Sequence, residues 1–336
     1  MREDTAGSGR IERTAILIPL FNDWDAASQV LLGLDATLAA KSMSADVVIV
    51  DDGSTEPAPA GFASGGFKVL RSVSVVALRR NLGHQRAIAV GLACLEARLP
   101  SEYVVVMDGD GEDDPADVPR LLEEARRLGG ERIVFAERTR RAESWSFRIS
   151  YLLYKVLHYL LTGERVRVGN FSVIPRVRLS SLVAVSEIWI HYAAAAFASR
   201  QPRATITTRR ARRLQGRTAM NYVQLVAHGL RAISVYRELV SVRILVGSAG
   251  LTTLAMAGLC GAALFARWSA TSFPEWTLAL AGVGLLLLTQ VALCALFLTF
   301  VLLSERGGSF MLPARDYPLF VESVRTIAGP ETLRAP

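Results

Sequence analysis

Through its first half and beyond, the chain alternates short apolar runs with longer stretches whose apolar residues recur every three or four positions. Residues 14–20 (TAILIPL), 46–50, 67–78, 103–107 and 132–135 read as strands. The first and fourth are apolar on both sides, as strands covered on two faces are. Between them, Ala27, Val30, Leu31, Leu34 and Leu38 mark a helix over 24–40. A second helix follows residues 81–86 through Ala97, and a third runs to Leu128, with Asp114 and Pro115 as its N-cap and first residue. Strand and helix in alternation predict an α/β fold with a doubly wound, mainly parallel sheet. Two more strands are expected, at 166–174 and from Thr205.

The pattern changes at residues 145–161, a helix apolar and aromatic over most of its surface, with Arg148, Lys155 and His158. It reads either as a core helix or as one lying at a membrane surface with its cations snorkelling. Residues 218–243 read as an amphipathic helix. Residues 244–266 and 276–303 then carry no charge; the first alone reaches roughly 35 Å as a helix, enough to cross a bilayer. Trp268 and Trp276 suit an interfacial belt. Arg231, Arg237 and Arg243 precede the spans, and Arg306 and Arg315 follow them. The positive-inside rule therefore puts both flanks in the cytoplasm. The expected order is a flexible N-terminal tail (1–13), a cytosolic catalytic domain (14–217), an amphipathic juxtamembrane helix (218–243), a two-helix transmembrane hairpin (244–303) and a cytosolic C-terminal tail (304–336). Residues 1–13 are polar and contain no secretory signal. The expected location is the cell (inner) membrane, multi-pass, with both termini cytoplasmic.

Composition sharpens this. Half the residues are hydrophobic (51%), mean hydropathy is +0.30, and the excess lies in the C-terminal spans. A net charge of +7 suits phosphorylated ligands or an anionic membrane. Nucleic acid is disfavoured because the positive charge gathers beside the membrane segments. Cys94, Cys260 and Cys294 are odd in number and lack metal-like spacing, so neither a disulfide framework nor a zinc site is expected.

Polar clusters at 21–23, 51–54, 81–86 and 108–114 each follow a strand. In doubly wound sheets such loops gather at one edge and form the ligand crevice. In Asp108-Gly109-Asp110 the two carboxylates share one side of an extended backbone. Such a pair suits a hard divalent cation, Mg2+ or Mn2+, with part of its shell left for phosphates. Asp51 and Asp52, followed by Gly53, suit a base edge and ribose hydroxyls. Arg209, Arg210, Arg212, Arg213 and Arg217 are too dense to be a merely solvated face and suit anions. There is no GxxxxGK[ST], no GxGxxG after the first strand and no GxSxG. Transfer of a sugar from a nucleotide diphosphate remains.

ILIPLFND, VDDGSTE, NLGHQRAIAVGL and DGDGEDDP, in this order, resemble the family 2 glycosyltransferases of GT-A fold, in their polyprenyl-phosphate (dolichol-phosphate type) branch. The resemblance covers about residues 14–305, including the two spans. Asp113 and Pro115 match the branch's continuation of the acidic motif; Glu112, Asp114 and Ala116 do not. Arg210, Arg213, Gly216 and Thr218 match its arginine pattern, with Ala219 where lysine is common. Gly169-Asn170-Phe171 stands where the family has Gly-Asp-Phe. The resemblance implies an inverting transfer from a nucleotide-diphosphate sugar to a membrane polyprenyl phosphate. It implies that Pro19, Asn22 and Asp52 frame base and ribose, that Asp108 contacts ribose or metal, and that Asp110 holds metal and diphosphate. Arg138, Arg141, Arg210 and Arg213 would receive the acceptor phosphate, and Asp113 would be the base if one is needed. No role is assigned to His84. Another lipid or glycan acceptor, or a non-catalytic scaffold binding a nucleotide sugar, are the alternatives. Pairing through the spans into a homo-oligomer is compatible with the sequence but not demanded by it.

Overall fold

The structure, a computed structural model, describes residues 13–63, 65–138, 145–165, 168–208, 211, 213–214, 222–269, 274–304 and 311–333. Eight strands form one sheet: β1 (Thr14–Leu20), β2 (Ala45–Asp51), β3 (Leu70–Leu78), β4 (Tyr103–Val106), β5 (Ile133–Arg138), β6 (Val168–Pro175), β7 (Arg203–Thr208) and β8 (Val321–Ala328). Their order is β7-β5-β6-β4-β1-β2-β3-β8. β1 pairs in parallel with β2 and β4, β2 with β3, and β5 with β7. β6 runs antiparallel between β4 and β5, so β1, β4, β5 and β7 all end at one edge. The α/β, doubly wound, mainly parallel expectation holds.

The helices are α1 (Trp24–Ala40), α2 (His84–Arg98), α3 (Asp117–Arg127), α4 (Trp145–Thr162), α5 (Arg176–Val183), α6 (Tyr192–Ala198), α7 (Tyr222–Ser234), α8 (Arg237–Ser269), α9 (Glu275–Ser304) and α10 (Pro313–Asp316). Alternate residues of the strands serve opposite faces. Ile16, Ile18, Val47 and Ile49 join Leu31 and Leu34 of α1 and Leu121 and Leu122 of α3 in one core. Leu17 and Val50 face the other way, onto α2, where a Cβ on Gly91 would lie 2.4 Å from Leu17 Cδ1. Each such fully buried side chain contributes about 1.5–3 kcal/mol, which is why β1 and its neighbours form the rigid floor of the crevice. α3 starts at Asp117, later than expected. Asp114 Oδ1 accepts from Ala116 N–H (2.9 Å) in a turn ahead of the helix and does not cap it.

The chain divides into two compact units. The first holds the sheet and comprises residues 1–143, 167–231 and 310–336. Residues 304–336 were expected to be a tail, and this is corrected: β8 pairs antiparallel with β3 and closes that edge of the sheet. Ser72 and Thr332 share a hydroxyl hydrogen bond (2.8 Å), as do Ser74 and Thr326 (3.1 Å), and Tyr317 and Leu333 are buried.

The second unit comprises residues 144–166 and 232–309. Here α8 and α9 pack on one another, and α4 packs on α8, where Arg243 Nη1 donates to the Leu160 carbonyl (3.1 Å). Arg237–Phe265 and Ala279–Val301 are long and apolar enough to cross a membrane, with mean hydropathies of 1.7 and 2.3. Leu254, Phe297 and Phe300 stand about 70% exposed along them. Leu152, Leu153 and Leu160 of α4 are exposed too, which removes the core-helix reading of that segment. The single amphipathic helix expected over 218–243 is two helices, α7 and the start of α8, broken at residues 235–236; residues 218–221 lie outside the described residues.

Candidate active site

The loops after β1, β2, β3 and β4 are tied together at the sheet edge. Asn22 adopts a left-handed backbone (φ 61°), a conformation asparagine tolerates better than most residues. Its Oδ1 accepts from the N–H groups of Thr55 (2.9 Å) and Glu56 (3.1 Å), and its own N–H donates to Ser54 Oγ (2.9 Å). Asp51 Oδ1 accepts from Ser54 N–H (2.9 Å), which shapes the turn. Asp52 is buried, and its two oxygens accept from the N–H groups of Leu82 (2.7 Å) and Gly83 (2.8 Å). Burial lifts its carboxyl above the ordinary range, more than those two N–H groups lower it. Gly53 (φ 68°) lies so near the third loop that a Cβ would sit 2.6 Å from Asn81 N. Pro19, one residue before the end of β1, stands in register with Val50, and its carbonyl backs Gly109.

The acidic loop after β4 is folded by its own carboxylates. Asp113, only 2% exposed, accepts from Asp108 N–H (2.9 Å). Asp110 Oδ1 accepts from Glu112 N–H (2.9 Å). Gly111 (φ 82°) admits Leu214, whose Cγ would be 2.5 Å from an added Cβ. The chain after β7 lies along this loop, with Ala211 N–H on the Glu112 carbonyl and Leu214 N–H on the Asp110 carbonyl, both at 3.1 Å. Arg213 therefore reaches Asp110 Oδ2 (3.4 Å) and Asp23 Oδ2 (3.2 Å). The Asp110 carboxyl is raised by burial first, then by repulsion from Asp108 and Glu112; Arg213 and the Glu112 N–H oppose this only in part. That balance fits a site short of positive charge.

Of the arginines expected at the acceptor, only Arg213 falls among the described side chains. Arg138 ends β5 opposite Thr208, at the same sheet edge. Its side chain, Arg141 and Arg210 lie outside the described residues.

Sequence reasoning gave no role to a group of residues that the fold brings beside Asp108. His84 opens α2 and lies 3.2 Å from Asp108 Oδ1 through Nε2. Burial opposes a charged imidazole there, but the Asp108, Asp110 and Asp52 carboxylates outweigh it and raise its pKa. Asn170, Gln85 and Tyr192 continue from it as a chain of hydrogen bonds. Nearby, His191 caps α6 and meets His228 of α7, Nε2 to Nε2, at 3.3 Å. The signal for His84 was its place in the strand-end cluster 81–86; His191 and His228 carry no local signal.

Among the described residues no preformed group of three His, Cys, Asp or Glu side chains is placed to hold a metal ion. Asp108 and Asp110 nevertheless fit a hard divalent ion. They offer carboxylate oxygens from one tight loop, one of them with an elevated pKa that a cation would relieve, and two ligands leave room for diphosphate oxygens and water.

Residues 15–177 match the model of the family described as Glycosyl transferase family 2. The undecaprenyl-phosphate 4-deoxy-4-formamido-L-arabinose transferase of Edwardsiella ictaluri is 27% identical over 173 residues, 52% of this chain and 51% of that protein. The dodecaprenyl-phosphate galacturonate synthase of Rhizobium johnstonii is 23% identical over 172 residues, 49% of this chain and 50% of that protein. The chain thus spans about half the length of the curated relatives it matches. Among solved structures, the glucosyl-3-phosphoglycerate synthase of Mycobacterium tuberculosis, in complex with Mn2+, uridine-diphosphate-glucose and phosphoglyceric acid, is similar with a TM-score of 0.48 and 16% identity, over 68% of this chain and 80% of that one. The stretch that matches the glycosyl transferase family 2 model runs from the start of β1 into α5 and contains all four strand-end loops.

Proposed function

We propose that this chain is an inverting glycosyltransferase that moves a sugar from a nucleotide-diphosphate sugar to a polyprenyl phosphate, at the cytoplasmic face of the cell membrane. One observation carries the reading: two carboxylates, Asp108 and Asp110, stand where four interlocked strand-end loops meet, in a chain that also bears two helices apolar enough to span a bilayer. The named relatives, which transfer to undecaprenyl and dodecaprenyl phosphate, support the acceptor class.

Asn22, Asp51, Asp52 and Gly53 hold the loops that would frame base and ribose, with Pro19 beneath them. Asp108 and Asp110 would hold Mg2+ or Mn2+, which when bound supplies stabilisation of the negative charge on the departing diphosphate. Asp113 fixes the loop through Asp108 N–H. With its carboxylate so engaged and buried, it acts as a positioning residue in this reading. A phosphate nucleophile is already largely ionised near neutral pH, its second pKa being about 6, so it needs orientation more than a base. Arg213, with Arg138 and Arg210, would supply that orientation. The lipid stays in the bilayer because each buried CH₂ is worth about 0.8 kcal/mol, so the enzyme must come to it.

The test is a panel of nucleotide sugars offered to detergent-extracted protein with a polyprenyl phosphate, read by the mass of the lipid product. A sugar-phosphate lipid, lost with EDTA and in Asp110→Asn, is expected. Sugar appearing on a different lipid or glycan would move the acceptor class, and no turnover of any nucleotide sugar would leave a binding scaffold.

A further inference from the structure

The parallel strands β1, β2 and β3 end at the crevice edge, and β8 begins there, with Val321 opposite Leu78. Arg79 and Arg80 follow β3 directly, and Arg86 stands in the first turn of α2. All three are exposed. Among the described residues none of them pairs with a carboxylate, neither with Glu187 nor with Glu322 on the adjoining segments. Three cations so placed repel one another. Arg86 also faces the positive end of the α2 dipole, and no acidic residue stands in that first turn to offset it. The acidic loop of the crevice lacks positive charge; this stretch lacks negative charge.

An apolar surface adjoins the arginines. Arg79 N–H donates to the Phe320 carbonyl (2.9 Å). The Phe320 ring packs on Trp189, which ends a short 3-10 turn (Ser186–Trp189), with centroids 4.9 Å apart and planes at 49°. The Arg86 guanidinium lies 5.6 Å from the Trp189 ring centroid. Leu319, next to Phe320, is 69% exposed. Aromatic rings beside arginines are the composition of a membrane interface. There an arginine lays its stem on apolar surface and keeps its charged head at the level of the phosphates. A soluble phosphate would use the arginines and leave Leu319 in water; a lipid surface uses both.

We propose that Arg79, Arg80, Arg86, Trp189, Leu319 and Phe320 form a docking surface for anionic phospholipid headgroups, which holds the strand-end edge of the sheet unit on a bilayer. The proposal rests on the membrane-spanning reading of α8 and α9 used above. A docked edge puts the crevice at headgroup height, where a soluble donor meets a lipid phosphate without lifting it out of the bilayer. Each arginine near an anionic surface shifts the ratio of docked to undocked molecules by about fivefold.

The experiment uses the full chain in nanodiscs of phosphatidylcholine, with and without phosphatidylglycerol. A nitroxide is attached at Leu319→Cys in a Cys260→Ser, Cys294→Ser background. Cys94 stays unlabelled, because it is buried and its thiol is pushed up to about 11. A second sample carries the nitroxide on native Cys294 of α9. Electron paramagnetic resonance then compares the access of oxygen, which concentrates in lipid, with that of a water-soluble nickel chelate. With phosphatidylglycerol present, the label at 319 is expected at the headgroup layer, and high salt should return it to water. Arg79→Gln with Arg86→Gln should lower the docked-to-undocked ratio by about 25-fold, while Arg79→Lys with Arg86→Lys keeps it. A label at 319 that stays in water in both lipids while Cys294 reads lipid overturns the docking surface and leaves the spans intact. A label shielded from both reagents in both lipids overturns it in favour of a protein contact. A Cys294 label open to the nickel chelate overturns the spanning reading and the proposal with it.

Discussion

Replacing Gly53 by alanine tests whether the base-side loops are held as closely as described. An added Cβ would lie 2.6 Å from Asn81 N and 2.7 Å from the Arg80 carbonyl carbon, well inside the 3.4 Å of ordinary contact. Both neighbours are backbone atoms and cannot rotate away. The residue must also keep φ near 68°, which costs an L-amino acid about 1–2 kcal/mol. Relief of the clash moves residues 80–83 away from Asp52, where the Leu82 and Gly83 N–H groups donate at 2.7 and 2.8 Å. Losing one hydrogen bond to a charged acceptor adds about 1.5–3 kcal/mol. The sum, about 2.5–5 kcal/mol, corresponds to a fall in melting temperature of roughly 5–20 °C for a domain of this size class. Thermal unfolding in detergent measures it, and titration with UDP and GDP should show affinity reduced at least about tenfold, since 1.4 kcal/mol is a factor of ten. Gly66→Ala is the control, because nothing lies within 4 Å of its Cβ position. Gly53→Ala with the melting temperature and nucleotide affinity of the control would show that the second and third loops do not meet in this way.

Three further outcomes follow from the same geometry. Arg213→Ala should raise KM for polyprenyl phosphate by about 10–100-fold, the value of a charged hydrogen bond; an unchanged KM would remove Arg213 from the acceptor. Truncation after residue 310 should yield protein that aggregates in size-exclusion chromatography, because β3 loses β8 and presents an unpaired edge; a monodisperse product would show that β8 is dispensable. Acid should destabilise the sheet unit through Asp35 and Asp46. Burial lifts both carboxyls, but the Lys68, Val69 and Leu70 N–H groups at Asp35, and Arg13, Arg71 and Ser72 at Asp46, outweigh it and hold both below 3.8. A depressed folded-state pKa contributes stability that is present above the unfolded value and lost as pH falls through the folded one. Melting temperature should therefore be level near neutrality and drop below about pH 4, with a shallower drop in Asp35→Asn and Asp46→Asn. Equal acid sensitivity in the variants would place the titrating groups elsewhere.

The sheet was legible in the sequence because its central strands are covered on both faces and so leave unbroken apolar runs, as in TAILIPL and YVVVM. The crevice was legible because Asn22, Asp52, Gly53, Asp108 and Asp110 all follow such runs directly. β8 was not, because an edge strand needs only one covered face. VESVRTIA is half exposed and its charges interrupt the alternation. His84, Asn170 and Tyr192 were passed over for a different reason. They lie far apart along the chain, and only the antiparallel insertion of β6 next to β4 brings Asn170 to within reach of His84. For Asp113, which the resemblance nominates as the base if one is needed, the fold adds a contact that the motif does not show: its carboxylate accepts from the Asp108 backbone N–H.

The position of β8 constrains how the molecule is made. The last strand of the sheet emerges from the ribosome after α8 and α9, so β3 must wait, uncovered, while the greasy hairpin is synthesised. If the hairpin enters lipid, as its length and apolarity allow, a delay in doing so would also delay the cap on that edge. Because the polypeptide leaves the sheet after β7 and must return to it for β8, any passage of these helices through a bilayer has to bring it back to the side it left. The sheet's own connectivity would thus make any such crossings even in number, with no appeal to the distribution of arginines.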